Sequence, residues 1–392
     1  MSAHWRGAPE IALSSGVYSA VLPSHLYVHV PFCARRCSYC DFSIAVRRVV
    51  PVSDYVDGIH RELTRLVGPT SRSREQWALS TVYLGGGTPS SLGGDGVRQL
   101  LETIRSFAEI APGAEITIEA NPDDVTAEAA EAWVSAGVNR ISLGAQSFDD
   151  SVLAWMHRTH DSSQIGDAVR AARSAGIANL SLDLIFALPP EIPRSWSHDL
   201  KEALSLSPEH VSLYGLTVEP ATPLHRWETA GRVSPTGEDS YADEFLEAHD
   251  SMTAAGFNHY EVSNFARQGR ESRHNSAYWS GASYMGIGPA AHSFDGVRRR
   301  WNVKPYAEWL DALRGARPVM EGEELLDSAS VTSERIYLGL RTEAGYYAGA
   351  SDRAAAESWA RAGWAVIDGD LVRLNAEGWL RLDSLAAGLT GL

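Results

Sequence analysis

Cysteine is scarce in this chain: 392 residues contain three, Cys33, Cys37 and Cys40, all within eight positions. An odd number of thiols on one short loop excludes a disulfide framework and suits a reducing compartment. Positive charge is also in short supply. Thirty-four Lys and Arg face 49 Asp and Glu, a formal net charge of −15, which excludes a nucleic-acid binder that works by broad phosphate neutralisation. The one basic run, residues 298–300, reads as a solvated loop. No apolar stretch reaches the roughly 20 residues that cross a bilayer. Residues 1–25 have neither the basic-then-apolar order of a secretory leader nor the arginine content of a mitochondrial presequence, so a cytoplasmic location is expected. There is no low-complexity tract and no repeat beyond a strand–helix rhythm.

That rhythm dominates what is present. Short runs rich in Val, Ile, Leu and Tyr recur at 26–30, 81–84, 115–119, 140–143, Leu180–Phe186 and 210–214, with the look of strands buried on both faces. Helical spacing falls between them at 55–66, 96–107, 127–136, 163–175 and 196–206, with entry signals at Ser53 and Thr126. Alternating strands and helices predict βα units on a parallel sheet. Six units are fewer than the eight of a closed barrel, so the expected fold is α/β, a partial (β/α)6 TIM-like barrel over residues 26–220. An extension is expected over 1–25 and a second over 221–327. A small, mainly helical, winged-helix-like domain is expected over 328–392, with helices at 334–340, 354–362 and 379–385 and a strand at Leu371–Leu374.

Three thiolates spaced Cys-x3-Cys-x2-Cys can each hold one iron of a [4Fe–4S] cube and leave the fourth iron open. Zinc competes, but a structural zinc site usually takes four protein ligands, and the chain has no second pair of cysteines. The loop starts where the first strand stops, which places it at the carboxyl ends of the strands. Tyr39 within it could stack on a flat ligand or simply pack. The second strand ends in Gly85-Gly86-Gly87-Thr88, where backbone can approach a ligand closely. Glu119 and Gln146 end the next two strands. Asp183 lies inside an otherwise apolar strand and needs a partner or a ligand. Arg158 suits a carboxylate, although an exposed arginine would be ordinary surface.

The sequence Tyr27-Val-His-Val-Pro-Phe-Cys33, the three-cysteine spacing and Gly85-Gly86-Gly87-Thr88-Pro89-Ser90 together resemble the radical S-adenosylmethionine (radical SAM) superfamily, from about residue 26 to 291. More narrowly they resemble the oxygen-independent coproporphyrinogen III oxidases and their relatives. The resemblance implies that Cys33, Cys37 and Cys40 ligate a [4Fe–4S] cluster. It implies S-adenosylmethionine bound by Tyr27, Tyr39, Gly86, Gly87, Thr88, Glu119, Gln146, Arg158 and Asp183. The oxidases carry a further cysteine two places after the third; here that place is Phe42. Phe42, the segment Ser212 to Pro220, Tyr260-Glu261 to Phe265, and His274-Asn275-Ser-Ala-Tyr278-Trp279 resemble the heme-chaperone branch of the group. That branch implies heme as cargo, contacted by His274, Asn275, Tyr278 and Trp279, with His259 and His292 as weaker candidates. It also implies heme-receiving proteins at the respiratory membrane, a flavodoxin-like electron donor, a homodimer and no nucleic acid. The alternative is an oxidase of coproporphyrinogen III or another radical SAM enzyme acting on a porphyrin.

Overall fold

Six parallel strands carry the architecture: β1 (His25–Val30), β2 (Ala78–Gly86), β3 (Glu109–Ala120), β4 (Arg140–Gln146), β5 (Leu180–Phe186) and β6 (His210–Gly215), adjacent in that order. This is the computed structural model of the chain, and it describes residues 22–68 and 77–390. The expectations made for residues 1–21 lie outside the described residues. Helices α1 (Val52–Val67), α2 (Gly93–Phe107), α3 (Ala127–Ser135), α4 (Ser162–Ser174) and α5 (Trp196–Ser205) return the chain between strands. The result is the open α/β barrel that the strand–helix rhythm predicts.

The strands are not apolar on both faces, as the sequence suggested. Residues alternate with the period of two that a pleated strand imposes. Leu26, Val28, Val82, Leu84, Ile116, Ile118, Ile141, Leu143, Leu182, Leu184 and Val211 point outward, into one core with Ile59, Leu63, Leu100, Ile104, Trp133, Ile165 and Leu200 of the helices. Each fully buried aliphatic side chain there is worth about 1.5–3 kcal/mol. The alternate positions face the lumen and are polar: Thr81, Tyr83, Glu115, Glu119, Arg140, Ser142, Ser181, Asp183, His210 and Ser212. Helix packing therefore holds this barrel, while its lumen is left for chemistry.

The sheet has nine strands, three more than the six read from sequence. β7 (Asn258–Glu261) and β8 (Asn264–Ala266) form a hairpin antiparallel to β6. β9 (Met285–Ile287) pairs in parallel with β1 at the other edge, Leu26 opposite Met285. Residues 221–327 thus supply both edges of the sheet. β9 escaped notice because three residues within a glycine-rich stretch give no period. Three local expectations are also corrected. Thr126 caps α3 as expected, accepting from the Ala129 N–H at 3.1 Å, but α1 follows Pro51 without a side-chain cap, so Ser53 lies inside its first turn. The basic run 298–300 is a strand, not a loop; its arginines pair with Glu323, Glu334 and Asp295. The helix expected at 379–385 is two short helices, Ala376–Trp379 and Leu382–Thr390.

Beyond the barrel lie α6 (Glu238–Ala254), α7 (Arg273–Trp279), α8 (Tyr306–Arg314) and a three-stranded antiparallel sheet spanning His292–Phe294, Arg298–Asn302 and Met320–Leu325. The C-terminal part starts with α9 (Ser328–Leu340) and adds three strands, Tyr346–Tyr347, Ala365–Asp368 and Leu371–Leu374, where the sequence suggested one. Arg341, just past α9, forms an ion pair at 2.8 Å with the fully buried Glu261 of β7, and its guanidinium lies 4.3 Å from the centre of the Trp279 ring. A buried carboxylate needs such a partner, and the stacked guanidinium ties this region to α7. No helix among the described residues is long and apolar enough to cross a membrane.

Candidate functional site

A cavity of about 400 Å³ opens at the carboxyl ends of the strands. Its wall includes all three cysteines and, from the candidates read in the sequence, Tyr39, Gly86, Gly87, Thr88, Glu119, Gln146, Arg158 and Asp183. Strands β1 to β5 bring these residues together from across 150 positions because in a parallel sheet every strand ends at the same mouth. Tyr83, Asn121, Ser142, Tyr214, Thr217 and Glu219 also line it and were not singled out as site residues. Tyr83 and Ser142 take their meaning from register, since each occupies an inward position of its strand. Tyr27 is the exception among the candidates. It lies outside this wall, with its hydroxyl 3.2 Å from His29 Nδ1 and its ring stacked on Tyr83. In the structure it supports the wall from within the lumen.

The cysteine loop is held at both ends. Residues Phe32–Cys33 pair with Ala45–Val46, and the Arg47 N–H donates to the Cys33 carbonyl at 2.9 Å. All three thiols are free and partly exposed. Cys33 Sγ shares a hydrogen bond with Thr88 Oγ1 at 3.3 Å. Arg158 Nη1 donates to Cys37 Sγ at 3.4 Å. Burial raises the Cys33 thiol and pushes that of Cys40 up to about 11, so metal coordination is the natural means of deprotonating them. Among the described residues, no three His, Cys, Asp or Glu side chains converge as around a single metal ion. Three thiols at one wall, beside an arginine and an adjoining cavity, fit a cube with one iron per thiolate.

The glycine run beside the cysteine loop leaves no room for side chains. Gly86 has φ +116°, and a Cβ there would meet the His29 ring at 2.7 Å; one at Gly87 would meet the Pro31 backbone at 2.7 Å. The Gly86 N–H donates to Glu119 Oε2 at 3.0 Å and Tyr83 OH donates to Oε1 at 2.9 Å. Desolvation raises the Glu119 carboxyl to about 7, with the nearby Asp183 acting in the same direction. Asp183 accepts from Ser142 and Ser181 hydroxyls at 3.0–3.1 Å, without an ion pair among the described residues, and burial raises its pKa. It is therefore satisfied by hydroxyls yet still faces the cavity. Arg158 is not ordinary surface. Its Nη2 donates to Asn121 Oδ1 at 2.6 Å and to the Gly144 carbonyl at 2.9 Å, and its Nε is buried without a partner. Gln146 sits at φ +66°, a left-handed conformation that a side chain adopts at a cost, and this aims it from a bulge in β4 towards the mouth.

The candidate heme contacts separate in the structure. His274 is fully buried; its Nδ1 is 2.7 Å from Thr81 Oγ1, its Nε2 is 2.8 Å from Tyr278 OH, and its ring stacks on Tyr83 at 5.0 Å. Burial drives its pKa down to about 3, so the ring is neutral. With both nitrogens engaged it presents no lone pair to a ligand. Asn275 lines neither the thiol-lined cavity nor a second one of about 990 Å³, whose wall includes Tyr278 and Trp279 with Tyr260, Tyr284, Phe294 and Tyr346. His259 faces His249 at 2.8 Å and stacks on Phe265 at 3.8 Å, a packing role. His292 is exposed against Trp301.

Residues 27–203 match the family model of the radical SAM superfamily. The heme chaperone HemW of Bacillus subtilis is 36% identical over 81% of this chain and 83% of that protein. HemW of Mycobacterium tuberculosis strain H37Rv is 35% identical over 94% of this chain and 95% of its own length. The solved structure of the coproporphyrinogen III oxidase HemN from Escherichia coli, described as a radical SAM enzyme, superposes with a TM-score of 0.81 over 95% of this chain and 91% of that one, at 21% identity. That last likeness is one of fold.

Proposed function

Because the chain belongs to the HemW family of heme chaperones, within the radical SAM superfamily, we propose that it holds heme as cargo and passes it to recipient proteins, and that it carries a [4Fe–4S] cluster and S-adenosylmethionine at the thiol-lined mouth. Cys33, Cys37 and Cys40 would hold three irons. Bound there, the cluster and its partner supply one-electron chemistry. The residues around them have distinct tasks. Glu119 accepts from an ammonium group, the free Nε of Arg158 meets a carboxylate, Gln146 and Asp183 hold ribose hydroxyls, and Tyr39 covers a ring.

The observation that carries the cargo reading is the second cavity. Its volume of about 990 Å³ and its aromatic wall suit a large flat macrocycle. Arg335 lines it with no ion-pair partner among the described residues, free for a propionate. Tyr278 and Trp279 touch the cargo in this reading, and His274 fixes the Tyr278 hydroxyl from behind. Recipients at the respiratory membrane and a homodimer belong to the same reading.

Anaerobic hemin titration of wild type, Trp279→Ala and His274→Ala, each with and without the cluster, tests it. Loss of the Trp279 ring weakens hemin binding by about tenfold or more, roughly 1.4 kcal/mol, with iron content unchanged. Equal affinity in the Trp279 variant places the cargo elsewhere. Conversion of coproporphyrinogen III to protoporphyrinogen IX by the cluster-loaded protein with S-adenosylmethionine and a reductant replaces the chaperone by the oxidase.

A further inference from the structure

The aromatic cavity offers an iron neither nitrogen nor sulfur. Its wall contains no His, Cys or Met among the described residues, and His274 behind it has both ring nitrogens engaged. The side-chain oxygens that could ligate a metal there belong to tyrosines and glutamates. Three of the five tyrosines are committed elsewhere. Tyr260 OH shares a hydrogen bond of 2.8 Å with His210 Nε2, Tyr278 OH shares one of 2.8 Å with His274 Nε2, and Tyr346 OH donates to Asp352. Of the glutamates, Glu334 is held by both Nη atoms of Arg299, and Glu271 accepts from the Gly269 N–H at 3.3 Å. Glu343 is exposed, and Tyr347, at 77% exposure, stands in water. Tyr284 is left. It is half-buried in the wall, and its hydroxyl has no hydrogen-bond partner among the described residues.

We propose that Tyr284 is the axial ligand of ferric heme in this cavity, binding the iron as a phenolate. The inference rests on the cargo reading given above. A tyrosine oxygen is among the protein groups that hold heme iron, and a hard oxygen donor suits the ferric state. The ring is fixed in place. Tyr284 and Phe294 exchange backbone hydrogen bonds of 2.9 Å in both directions, and the Tyr284 ring stands edge-on to that of Tyr278, with centroids 4.5 Å apart. Backbone and ring are thus occupied, and the oxygen is free. Burial raises the pKa of this phenol, while Arg299 draws it down and Glu334 pushes it up, so without a metal it is neutral. Coordination supplies the drive to deprotonate it, as it does for any protonated ligand. In the step itself the phenol O–H bond and the bond between ferric iron and its hydroxide break. A bond from iron to the phenolate oxygen forms, and the proton and hydroxide leave as water. The iron stays ferric throughout.

The test adds hemin to the full chain with its cluster reconstituted and reads the difference from hemin-free protein. Wild type shows the charge-transfer absorption of phenolate on ferric heme, and tyrosinate modes in resonance Raman. Tyr284→Phe keeps the ring on Tyr278 and loses only the oxygen. Both signatures vanish in it, and hemin affinity falls about tenfold. Metal-free protoporphyrin IX has the same ring and propionates, and it binds wild type and Tyr284→Phe equally. Signatures that persist in Tyr284→Phe, or that vanish in Tyr347→Phe instead, overturn the proposal. So does a wild-type spectrum without them, such as the low-spin spectrum of nitrogen ligation. An equal loss of affinity for the metal-free ring also overturns it and leaves Tyr284 a packing residue. A Trp279→Ala variant that binds hemin as tightly as wild type refutes instead the cargo reading on which the proposal depends.

Discussion

Arg158 donates from Nη1 to Cys37 Sγ at 3.4 Å while its Nη2 is anchored by Asn121 Oδ1 and the Gly144 carbonyl. Strand ends β3 and β4 thus hold one guanidinium against the middle thiol of the cysteine loop. Replacing it by leucine removes a charge-assisted bond to the thiolate, worth about 1.5–3 kcal/mol, and leaves two acceptors unpaired. Arg158→Leu is expected to lose cluster to a chelator about tenfold faster than wild type, measured as iron and sulfide per chain over time. Arg158→Lys keeps the charge but not the fork, and is expected to fall between the two.

Glu119 ionises in the neutral range. With its carboxyl raised to about 7, only the ionised form attracts an ammonium group, so affinity for S-adenosylmethionine is expected to be about tenfold weaker at pH 6 than at pH 8. Glu119→Gln is expected to bind weakly at both values with the pH dependence gone. Calorimetric titration of the cluster-loaded protein at the two pH values measures this.

Glu62 of α1 is buried away from the site. It accepts from the Gly288 N–H, the Asn302 amide and the Trp309 indole at 2.9, 2.6 and 2.9 Å, and burial raises its pKa to about 7. The folded state holds this proton more tightly than the unfolded chain. Its contribution is therefore complete below pH 4.5 and lost as pH rises through 7, by about 3 kcal/mol in all. Urea unfolding from pH 4.5 to 8 should show Glu62→Gln gaining on wild type by that order, while Glu62→Ala, with three donors stranded, is destabilised by about 3 kcal/mol at either end.

Arg341→Ala strands the buried carboxylate of Glu261 and uncovers Trp279. Loss of one partner of a buried pair costs about 3–5 kcal/mol, read as a lowered urea midpoint. Hemin affinity should drop in parallel if Trp279 forms part of the cargo wall. A variant with Glu261→Gln added is expected to recover part of the stability, because no bare charge is left behind.

The six strands and their helices were legible in the sequence because apolar runs broken by helical spacing reflect the outward faces, which pack against helices. The inward faces were not. Thr81, Tyr83 and Ser142 look unremarkable in a sequence, and their meaning comes only from register. The site followed the same rule. Residues at strand ends, such as Glu119 and Gln146, could be placed because strand ends converge. For His274 the motif says which residues are grouped and nothing about which one faces a ligand; the structure adds that its ring is buried against Thr81 and Tyr83.

The parallel pairing of β9 with β1 has a consequence for the order of events during synthesis. The thiols at 33–40 leave the ribosome early, yet the strand that carries them gains its second neighbour only when residues 285–287 have been made. At about 5–20 residues per second, the loop waits on the order of 10–50 s with one flank of its strand unpaired. Iron and sulfide delivered before that interval ends would meet a loop with its footing incomplete.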